Sequence, residues 1–589
     1  MCGIVGYIGK KRAAPVLIDG LKKLEYRGYD SAGIAVMDGD NMTVIKRCGR
    51  VAALDEVRGL SGTIGIGHTR WATHGTPSER NAHPHCYGRI AVVHNGIIEN
   101  AARLRAACEA RGEVFVSDTD SEVAAHIIAH YFETKNDLLL AVHCAAKEFS
   151  GSFALAVLAV GEDEIVCARR ASPLIVAEGE EEGLVASDIP ALAAKGRRAY
   201  VLEDGELARL TREKVQIFDA DLALRLREPY ILNETELSPG KGRYAHFMRK
   251  EIEEIPDAVR NSLFLPDMAR NSRVCDVLCH AYYFDIVACG TAYHSGLCFA
   301  CAAERLLRVP TRVHIASEYR YTDPIVPRGT LTIAVSQSGE TADTLAAARL
   351  ARERASSVIA VTNVARSSIS RLADVTVLTG AGREVAVAAT KSFQAQLATL
   401  YSLLAVLAKQ KNIPFFPLEN FSDLTKETIQ KSECIAGWSS YFLDARSVFF
   451  LGRGADRCAA MEASLKLKEI TYLPSEGYAA GELKHGTLAL VDSRTPVVAI
   501  ITDPRLVDKT MNAVHEVYAR GAKVFLVTCF PELCAQKEVA ASVLIPACDP
   551  ELSPMLSVIP LQLLAYHVAL ALGNDPDKPR NLAKSVTVE

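Results

Sequence analysis

An internal repeat in the second half of the chain restricts the possible fold more than any other feature of the sequence. Three apolar runs each have a counterpart further along: Ile286-Val-Ala-Cys-Gly290 and Phe449-Phe-Leu-Gly-Arg453, Thr332-Ile-Ala-Val335 and Val497-Val-Ala-Ile500, and Val358-Ile-Ala-Val-Thr362 and Val524-Phe-Leu-Val-Thr528. The paired runs start 163, 165 and 166 residues apart, so the spacing is kept far better than the residue identities. Ala-rich helical patterns alternate with these runs, which is typical of parallel strands joined by crossover helices. The sequence therefore predicts two copies of one doubly wound parallel α/β unit.

The first part of the chain, up to about residue 228, has a different pattern. Short β-like runs bounded by turn residues occur at 31–37, 62–68, 89–94, 152–160, 164–168 and 174–177. Two helical patterns interrupt them, at 13–24 and 121–131. We therefore expect an α+β domain of layered sheets with flanking helices.

A polar stretch at 232–243 separates the two patterns. It contains Pro, Gly and charges of both signs, which is typical of a linker. The predicted organisation is a first domain at 2–228, a linker at 229–243, the two repeated units at 244–425 and 426–579, and a C-terminal tail at 580–589.

The composition excludes several classes of protein. The 589 residues include 66 Lys and Arg against 70 Asp and Glu, a net charge of −4, which excludes a nucleic-acid binder held by bulk charge. Hydrophobic residues make up 49% and charged residues 23%, which excludes a largely disordered chain. The longest uncharged apolar runs, 151–160 and 561–572, are shorter than the ~20 residues that span a bilayer, so we expect no membrane-spanning segment.

Two features predict a cytoplasmic protein. Lys10, Lys11 and Arg12 follow the short apolar stretch at the N-terminus instead of preceding it, which is the reverse of a secretory signal. The 16 Cys lie mostly inside apolar runs, a pattern that suits reduced, buried thiols better than a disulfide framework.

Cys2 combines a thiol with a potential base. Removal of the initiator Met leaves an α-amine on the same residue, and this amine, with a pKa of about 7.7–8.0, can accept the thiol proton directly or through water. Position alone favours a retained Met followed by a small hydrophobic residue. Both interpretations stay open on this observation.

Five motifs follow Cys2 in a fixed order. They are Tyr26-Arg-Gly-Tyr-Asp-Ser-Ala-Gly33, His68-Thr-Arg-Trp-Ala-Thr-His-Gly75, Asn81-Ala-His-Pro-His85, His94-Asn-Gly96 and Ser117-Asp-Thr-Asp120. Over the entire first domain these motifs resemble the N-terminal-nucleophile (class II) glutamine amidotransferases. The resemblance implies that Cys2 is the nucleophile that attacks the glutamine amide.

The same resemblance implies roles for other residues of these motifs. Arg70 binds the α-carboxylate of glutamine and Asp120 its α-ammonium group, and Thr73 and His83 belong to the same binding site. The chemistry requires such groups, since a bidentate Arg suits a carboxylate and an acid suits an ammonium.

Asn95 and Gly96 are implied to form the oxyanion hole, through the Asn95 side chain and the Gly96 N–H. Two neutral donors are needed where negative charge develops on the amide oxygen.

Pairs of His in this domain have spacings found in metal sites. His83 with His85, and His126 with His130 on a predicted helix, are such pairs, but no Cys, Asp or Glu signature completes either set. We therefore expect no metal.

A hydroxyl-rich turn, Ser336-Gln-Ser-Gly-Glu-Thr341, joins a predicted strand to a predicted helix. Backbone N–H groups at a helix N-terminus, the helix dipole and several hydroxyl donors together suit a phosphate dianion without a Lys. One Ser or Thr is enough for a simple helix cap, so three hydroxyls with Gln337 and Gly339 favour a phosphate site.

This turn, with Ala288-Cys-Gly-Thr-Ala-Tyr-His294, resembles the sugar isomerase (SIS) domain family, which binds phosphosugars. With the glutaminase domain in front, the entire chain resembles the isomerizing glutamine:fructose-6-phosphate aminotransferase family. That family makes glucosamine 6-phosphate and glutamate from fructose 6-phosphate and glutamine, the first step of hexosamine synthesis. The residues implied to contact the sugar phosphate are Ser336, Gln337, Ser338 and Thr341, with Thr291 near the sugar.

The sequence departs from the family at two positions. Ala292 and Ala389 stand where the family commonly has Ser, and both hydroxyls are associated with contacts to the sugar. In the second repeat the Ser-rich turn is replaced by Thr502-Asp-Pro-Arg505, whose acid does not suit a phosphate. We expect that turn to be structural.

Glu462, Lys466 and Glu469 fall on one face of a predicted helix. Spacing alone is also typical of a solvated charged face. The resemblance implies that Glu469 is the acid/base that moves a proton between C1 and C2 of the sugar. It also implies that His485 opens the sugar ring from the neighbouring subunit, which implies a homodimer.

The last ten residues, 580–589, are on position alone a frayed tail. The resemblance implies instead that the tail closes over the sugar site and that Lys584 forms a Schiff base with the open ketose, a role that suits a buried Lys. It further implies an ammonia channel gated by Trp71. No cofactor is expected, because the sugar carbonyl itself supplies the imine.

The sequence lacks the features that several other functions require. Asparagine synthetase-like chemistry requires an ATP pyrophosphatase loop and phosphoribosyl transfer an acidic pyrophosphate motif, and the sequence contains neither. A deglycase would lack the domain that begins with Cys2. A non-catalytic phosphosugar sensor is the alternative from another class, but such regulators carry a DNA-binding helix-turn-helix in front, where this chain has a glutaminase.

Overall fold

The structure of the chain is a computed structural model that describes residues 2–72, 74–192, 196–232, 240–263 and 272–587. The chain divides into two compact units. The N-terminal unit is Met1–Pro239 with Ser585–Glu589, and the C-terminal unit is Gly240–Lys584. The division after Pro239 falls inside the predicted linker at 229–243, but residues 230–231 of that range form a strand of the N-terminal unit. Residues 233–239 lie outside the described part of the chain.

The N-terminal unit contains fifteen described strands and five described α-helices. The strands are β1 (Gly3–Ile8), β2 (Ser31–Asp38), β3 (Asn41–Cys48), β4 (Ile64–Arg70), β5 (His85–Tyr87), β6 (Ile90–Ile98), β7 (Gly151–Ala159), β8 (Ile165–Arg170), β9 (Ile175–Gly179), β10 (Glu182–Ala186), β11 (Arg198–Val201), β12 (Leu207–Leu210), β13 (Val215–Phe218), β14 (Leu224–Arg225) and β15 (Tyr230–Ile231). The helices are α1 (Ala13–Leu24), α2 (Ala101–Ala110), α3 (Glu122–Lys135), α4 (Leu138–Glu148) and α5 (Ile189–Leu192).

These strands form two antiparallel sheets. The first has the order β15-β11-β9-β10-β1-β4-β2-β3 and the second β14-β13-β12-β8-β7-β6-β5. One hydrophobic cluster joins Ile4 and Ile66 of the first sheet to Ala154 and Ile165 of the second, so the sheets pack face to face. Helix α1 covers the outer face of the first sheet, and α2, α3 and α4 cover the outer face of the second. The predicted α+β class of layered sheets with flanking helices is confirmed.

The prediction of only two helices in this region was wrong. Helix α2 was missed because only Leu104 and Cys108 of its ten residues are buried, which leaves little apolar periodicity. Helix α4 was missed because its sequence, LLLAVHCAAKE, begins with a continuous apolar run that does not distinguish helix from strand.

The C-terminal unit contains ten described strands and twelve described α-helices. The strands are β16 (Tyr283–Ala288), β17 (Thr311–Ile315), β18 (Thr330–Ser336), β19 (Ser357–Thr362), β20 (Val375–Leu378), β21 (Val448–Gly452), β22 (Ser475–Ala479), β23 (Pro496–Ile501), β24 (Lys523–Thr528) and β25 (Val539–Leu544). The helices are α6 (Phe247–Glu253), α7 (Ile255–Leu263), α8 (Ser272–Cys279), α9 (Gly290–Ala302), α10 (Ala316–Tyr319), α11 (Ala342–Glu353), α12 (Ser368–Leu372), α13 (Lys391–Gln410), α14 (Phe421–Lys431), α15 (Ala455–Thr471), α16 (Val507–Tyr518) and α17 (Pro554–Ala571).

The two sheets of this unit have the same topology. Their orders are β17-β16-β18-β19-β20 and β22-β21-β23-β24-β25, and every pairing is parallel. The repeated runs of the sequence form the three central strands of each sheet, which confirms the doubly wound repeat. One hydrophobic core extends through both copies and includes Phe299 of α9, Leu397 of α13, Leu467 of α15 and Leu564 of α17.

Helix α17 corrects the expectation about apolar runs. Its 18 residues carry no charge, and by length and composition alone they are sufficient to cross a membrane. However, 83% of this window is buried inside the structure. The helix is therefore a core element of the C-terminal unit. The expected run at 561–572 begins directly after Pro560, whereas the helix begins at Pro554 and continues through that proline.

Candidate active site

The thiol of Cys2 lies where β1 meets the end of β4. These strands pair with Gly3 opposite Thr69, which brings Cys2 beside Arg70 and Trp71. The backbone N–H of Trp71 donates to Sγ of Cys2 at 3.2 Å. Burial raises the pKa of the Cys2 thiol and outweighs the lowering by the Trp71 N–H and the Arg70 guanidinium. The thiol is therefore protonated at neutral pH and needs a base to become a nucleophile.

Asn95 and Gly96 lie on β6 next to this thiol. Nδ2 of Asn95 donates to the carbonyl oxygen of Cys2 at 3.0 Å. Gly96 has φ of +130°, and a Cβ there would lie 2.1 Å from the carbonyl oxygen of Ser152. No other residue fits this position, so the strand keeps a backbone geometry that only Gly tolerates.

His68 fixes the orientation of the Asn95 amide, a role that the sequence did not reveal. Its Nε2 lies 3.0 Å from Oδ1 of Asn95 and 3.0 Å from the carbonyl oxygen of His94. Both are acceptors, so Nε2 carries the proton and donates, and the NH₂ of Asn95 faces Cys2. Burial lowers the pKa of His68 to about 3, so the ring is neutral.

Arg70 lies within electrostatic range of both Cys2 and Asp120. Nη2 of Arg70 donates to the carbonyl oxygens of His74 and Gly75, whereas its Nη1 is buried and has no hydrogen-bond partner among the described residues. Asp120 accepts from the N–H of Ile98 at 2.8 Å. A buried guanidinium N–H without a partner suits a carboxylate ligand.

The remaining predicted residues of this site differ in their placement. His83 stacks on His68 with ring centroids 4.0 Å apart, and its Nδ1 accepts from the N–H of His94 at 3.2 Å. The ring of Trp71 packs edge-to-face against Tyr29. Thr73 lies outside the described residues.

The His pairs considered for metal binding lie in ordinary packing environments. His126 is buried between the rings of Tyr87 and Phe115, and its Nδ1 lies 2.6 Å from Oε2 of Glu113. In the ranges that the structure describes, no group of three or more His, Cys, Asp or Glu is arranged to hold a metal ion.

The Ser-rich turn of the C-terminal unit joins the end of β18 to α11, as predicted. The hydroxyls of Ser336 and Thr341 lie 2.8 Å apart, and the hydroxyl of Ser336 also accepts from the N–H of Gly339 at 3.0 Å. Thr341 occupies the N-cap of α11 but makes no side-chain capping hydrogen bond. Gly339 has φ of +67°, and a Cβ would lie 2.1 Å from Oγ of Ser367. The turn therefore needs Gly there, and its hydroxyls do not serve as helix caps.

The charged face of α15 is buried, so the interpretation as a solvated face was wrong. Glu462 and Lys466 have no solvent exposure. Lys466 Nζ lies 2.6 Å from Oε2 of Glu469 and donates to Oγ1 of Thr291 at 3.0 Å. Oε1 of Glu462 accepts from Thr291 at 2.9 Å, and its Oε2 lies 2.7 Å from Nδ1 of His294. Thr291 on α9 and Glu469 on α15 are thus joined through one buried network that spans both repeats.

Lys584 is also buried, which contradicts a frayed tail at this position. Its side chain is 6% exposed and forms an ion pair with Glu384. Upstream, the N–H of Arg580 donates to the hydroxyl of Tyr472 at 2.9 Å. The positive charge of Lys584 lowers the pKa of Glu469, although burial raises it more. Lys584 is therefore within electrostatic range of the α15 network.

His485 is not part of this network within one chain. It ends a short 3-10 helix, Ala480–His485, and is exposed. No hydrogen bond or ion pair among the described residues joins it to Glu469 or Lys584. Ala292 and Ala389, the two departures from the family, are half-buried.

In the turn at 502–505 of the second repeat, the two charged side chains pair with each other. Arg505 Nε donates to Oδ1 of Asp503 at 2.8 Å. The N–H of Thr502 donates to the buried Asp456 at 2.8 Å.

Comparisons with known proteins show the family of the chain. A model of the glutamine amidotransferase domain matches residues 68–194, and a model of the SIS domain matches residues 280–406 and 441–572. Proteins named "Glutamine--fructose-6-phosphate aminotransferase [isomerizing]" are similar over 100% of both chains, at 46% identity in Clostridium tetani, 47% in Symbiobacterium thermophilum and 43% in Thermus thermophilus.

Solved structures match the C-terminal part of the chain. The C-terminal domain of glucosamine-fructose-6-phosphate aminotransferase from Francisella tularensis is 38% identical with a TM-score of 0.56, and the match covers 58% of this chain and 100% of that one. Tagatose-6-phosphate ketose/aldose isomerase from Escherichia coli, at 19% identity and a TM-score of 0.51, covers 59% of this chain and 98% of that one and shares the fold. With full-length relatives above 40% identity, the chain belongs to the family of isomerizing glutamine--fructose-6-phosphate aminotransferases.

Proposed function

We propose that this chain converts fructose 6-phosphate and glutamine to glucosamine 6-phosphate and glutamate in the cytoplasm, as a homodimer. The observation that carries the proposal is the burial of Lys584 against Glu384 in the unit that also contains the Ser336 turn and the Lys466–Glu469 pair. An amine, a phosphate-binding turn and a carboxyl group are the groups that a ketose phosphate needs to form an imine and to isomerise. The proposed domains are 2–228, 244–425 and 426–579, with the tail at 580–589 closing the sugar site.

The first half-reaction takes place at Cys2. Once Met1 is removed, the α-amine accepts the thiol proton, and the sulfur attacks the amide carbon of glutamine. The NH₂ of Asn95 and the N–H of Gly96 stabilise the oxyanion, and Arg70, Thr73, His83 and Asp120 bind the substrate. Ammonia leaves as the thioester forms, and water hydrolyses the thioester to glutamate.

The second half-reaction takes place in the C-terminal unit. Ser336, Gln337, Ser338 and Thr341 bind the phosphate, and Thr291 lies near the sugar. His485 of the partner subunit opens the ring, and the amine of Lys584 forms an imine at C2. Ammonia displaces Lys584 at C2. Glu469 then removes a proton from C1 and returns a proton to C2, which yields the aldose.

The two half-reactions require ammonia to travel between sites without being protonated, because ammonium has no lone pair with which to attack carbon. A passage closed to bulk water, with Trp71 as its gate, meets this requirement. No step draws on a metal or an organic cofactor.

The direct test is an assay of the purified chain with glutamine and fructose 6-phosphate, with products identified by mass spectrometry. We expect glucosamine 6-phosphate and glutamate in equal amounts, and no amino sugar when either substrate is omitted. Glutamate release without amino sugar under all conditions would reduce the protein to a glutaminase that only binds phosphosugar.

Removal of the two facing hydroxyls of the phosphate turn is expected to weaken sugar binding. In the double variant Ser336→Ala, Thr341→Val, we expect KM for fructose 6-phosphate to rise roughly tenfold or more, because each hydrogen bond to a charged group contributes about 1.5–3 kcal/mol. Ser357→Ala, an exposed Ser at the start of β19, is the matched control. An unchanged KM in the double variant would show that the phosphate binds elsewhere.

A further inference from the structure

Glu251 on α6 is a buried carboxyl group that the mechanism above does not use. It is 2% exposed. Its Oε1 accepts hydrogen bonds from the N–H groups of Val385 at 2.5 Å and Ala386 at 3.2 Å. Its Oε2 is buried and has no hydrogen-bond partner among the described residues. A buried carboxylate oxygen without a partner is unfavourable, whereas a protonated carboxyl group carries no charge to be solvated.

In Glu384, the residue before Val385, both carboxyl oxygens have hydrogen-bond or ion-pair partners. Its Oε1 accepts from the N–H groups of Thr390 at 2.9 Å and Ser392 at 3.0 Å. Its Oε2 accepts from the hydroxyl of Ser392 at 2.6 Å and pairs with Lys584. Two buried carboxyl groups therefore share one ammonium group, and their charges balance only when one of them is protonated.

The surroundings determine which group holds the proton. Burial, with the negative charge of Glu384, raises the pKa of Glu251 to about 8, and Lys584 offsets part of this rise. Burial also acts to raise the pKa of Glu384, but Lys584 and Ser392 lower it to about 2. At neutral pH the proton therefore resides on Glu251.

The other charged groups around α6 have partners of their own. Glu254 pairs with Lys391 and Lys250, Arg249 pairs with Glu253 and Glu433, Asp577 pairs with Lys241 and accepts from the N–H groups of Phe247 and Met248, and His246 bonds to the hydroxyl of Tyr566. The charge that acts on Glu251 comes mainly from Glu384 and Lys584.

We propose that Glu251 is a positioning residue for the reaction at Lys584: as a neutral acid it fixes the backbone at 385–386 and adds no negative charge to that of Glu384 beside the lysine. This proposal rests on the imine role given to Lys584 under the proposed function.

The charge of Glu251 affects imine formation because the ammonium of Lys584 must lose a proton before it can attack. The ammonium of Lys584 gives a proton to the carboxylate of Glu384, and the neutral amine forms a C–N bond at C2. The proton then passes to the carbinolamine oxygen, the C–O bond breaks, and water leaves a protonated imine. Charge is conserved while Glu251 keeps its own proton. An ionised Glu251 adds a second negative charge, which holds the proton on the amine and makes the attacking form scarcer.

The test compares wild type with Glu251→Gln and Glu251→Ala. Gln keeps an acceptor for the N–H groups of Val385 and Ala386 but does not titrate, whereas Ala loses both properties. The imine with fructose 6-phosphate is trapped by borohydride from pH 6.5 to 9.5, and labelled Lys584 is quantified by peptide mass spectrometry. Comparing each variant's ratio of label at pH 9 to label at pH 7 cancels the pH dependence of the reagent.

We expect the ratio of label at pH 9 to label at pH 7 to be at least fivefold lower in wild type than in Glu251→Gln. We also expect Glu251→Ala to trap at least tenfold less imine than Glu251→Gln at every pH. Equal ratios in wild type and Glu251→Gln would overturn the proposal while leaving Lys584 as the imine-forming residue. Absence of label on wild-type Lys584 at every pH would instead refute the role of Lys584 itself, and this proposal with it.

Thermal unfolding gives a readout that does not depend on turnover. Because the pKa of Glu251 is raised in the folded state, the folded protein binds more protons than the unfolded chain between about pH 4.5 and 8, and wild-type stability falls as pH rises through this window. Glu251→Gln lacks this loss, so its Tm relative to wild type should increase from pH 5 to pH 8.5. A constant difference in Tm would contradict a protonated Glu251.

Discussion

Replacing Cys2 with Ala is expected to lower glutamine-dependent formation of glucosamine 6-phosphate by more than about 10³-fold. The expected loss is large because the proposed mechanism makes the thiol the nucleophile, and removing a nucleophile leaves only the contributions of binding and of the oxyanion hole. Binding of fructose 6-phosphate, measured by calorimetry, should stay within about twofold of wild type, since the sugar site is built from other residues.

Cys48→Ala provides the matched control, because Cys48 is an exposed thiol in the same unit. It should retain full activity. If Cys2→Ala retained glutamine-dependent synthesis, the thiol would not be the nucleophile. If neither glutamine use nor amino-sugar formation existed in the wild type, the phosphosugar-sensor alternative would stand.

Substitution of Lys584 is expected to have the second large effect on synthesis. Replacing it with Arg separates the positive charge of the side chain from its ability to act as a nucleophile. Lys584→Arg keeps a cation beside Glu384 but forms no imine with a ketose. We expect its synthesis of glucosamine 6-phosphate to fall by more than about 10³-fold, with basal glutamate release in the absence of sugar unchanged. Product formation is measured by mass spectrometry and glutamate by a coupled assay.

Lys584→Met should instead lower stability as well as activity. It leaves the buried carboxylate of Glu384 without its cation, a change that costs about 3–5 kcal/mol. In wild type the lowered pKa of Glu384 stabilises the fold above about pH 4.5, and this contribution is lost as pH falls toward 2. Full synthesis by Lys584→Arg would show that the lysine acts only through its charge.

The architecture was largely predictable because apolar runs and their spacing define strands. The runs that begin at Ile286 and Phe449 became equivalent strands, β16 and β21, in sheets of identical order. The elements that escaped prediction have weak patterns. Strand β3, none of whose residues is fully buried, lies at the edge of its sheet, and α2 buries only two side chains.

The positions of the candidate site residues were predictable where those residues lie in a continuous motif. The turn that begins at Ser336 and the end of β4 at Arg70 are read directly from neighbouring residues. Helical spacing placed Glu462, Lys466 and Glu469 on one face but did not reveal whether that face is buried or solvated. Burial depends on α9, which reaches α15 only through the tertiary fold.

Glu251 and Glu384 show the limit of reasoning from local sequence. They come from separate segments, and each alone reads as an ordinary surface acid. Their proposed roles become apparent only in the tertiary fold, where the N–H of Val385 donates to Glu251 and Lys584 pairs with Glu384. No spacing rule in one sequence signals such a pair.

The transfer of nitrogen from one unit to the other is the central claim, and an isotope competition tests it most directly. The purified chain is given glutamine labelled with ¹⁵N in its amide, fructose 6-phosphate and an excess of unlabelled ammonium. Shielded transfer predicts that nearly all glucosamine 6-phosphate carries ¹⁵N. Amino sugar with the isotopic composition of the bulk ammonium pool, or no amino sugar at all, would contradict it.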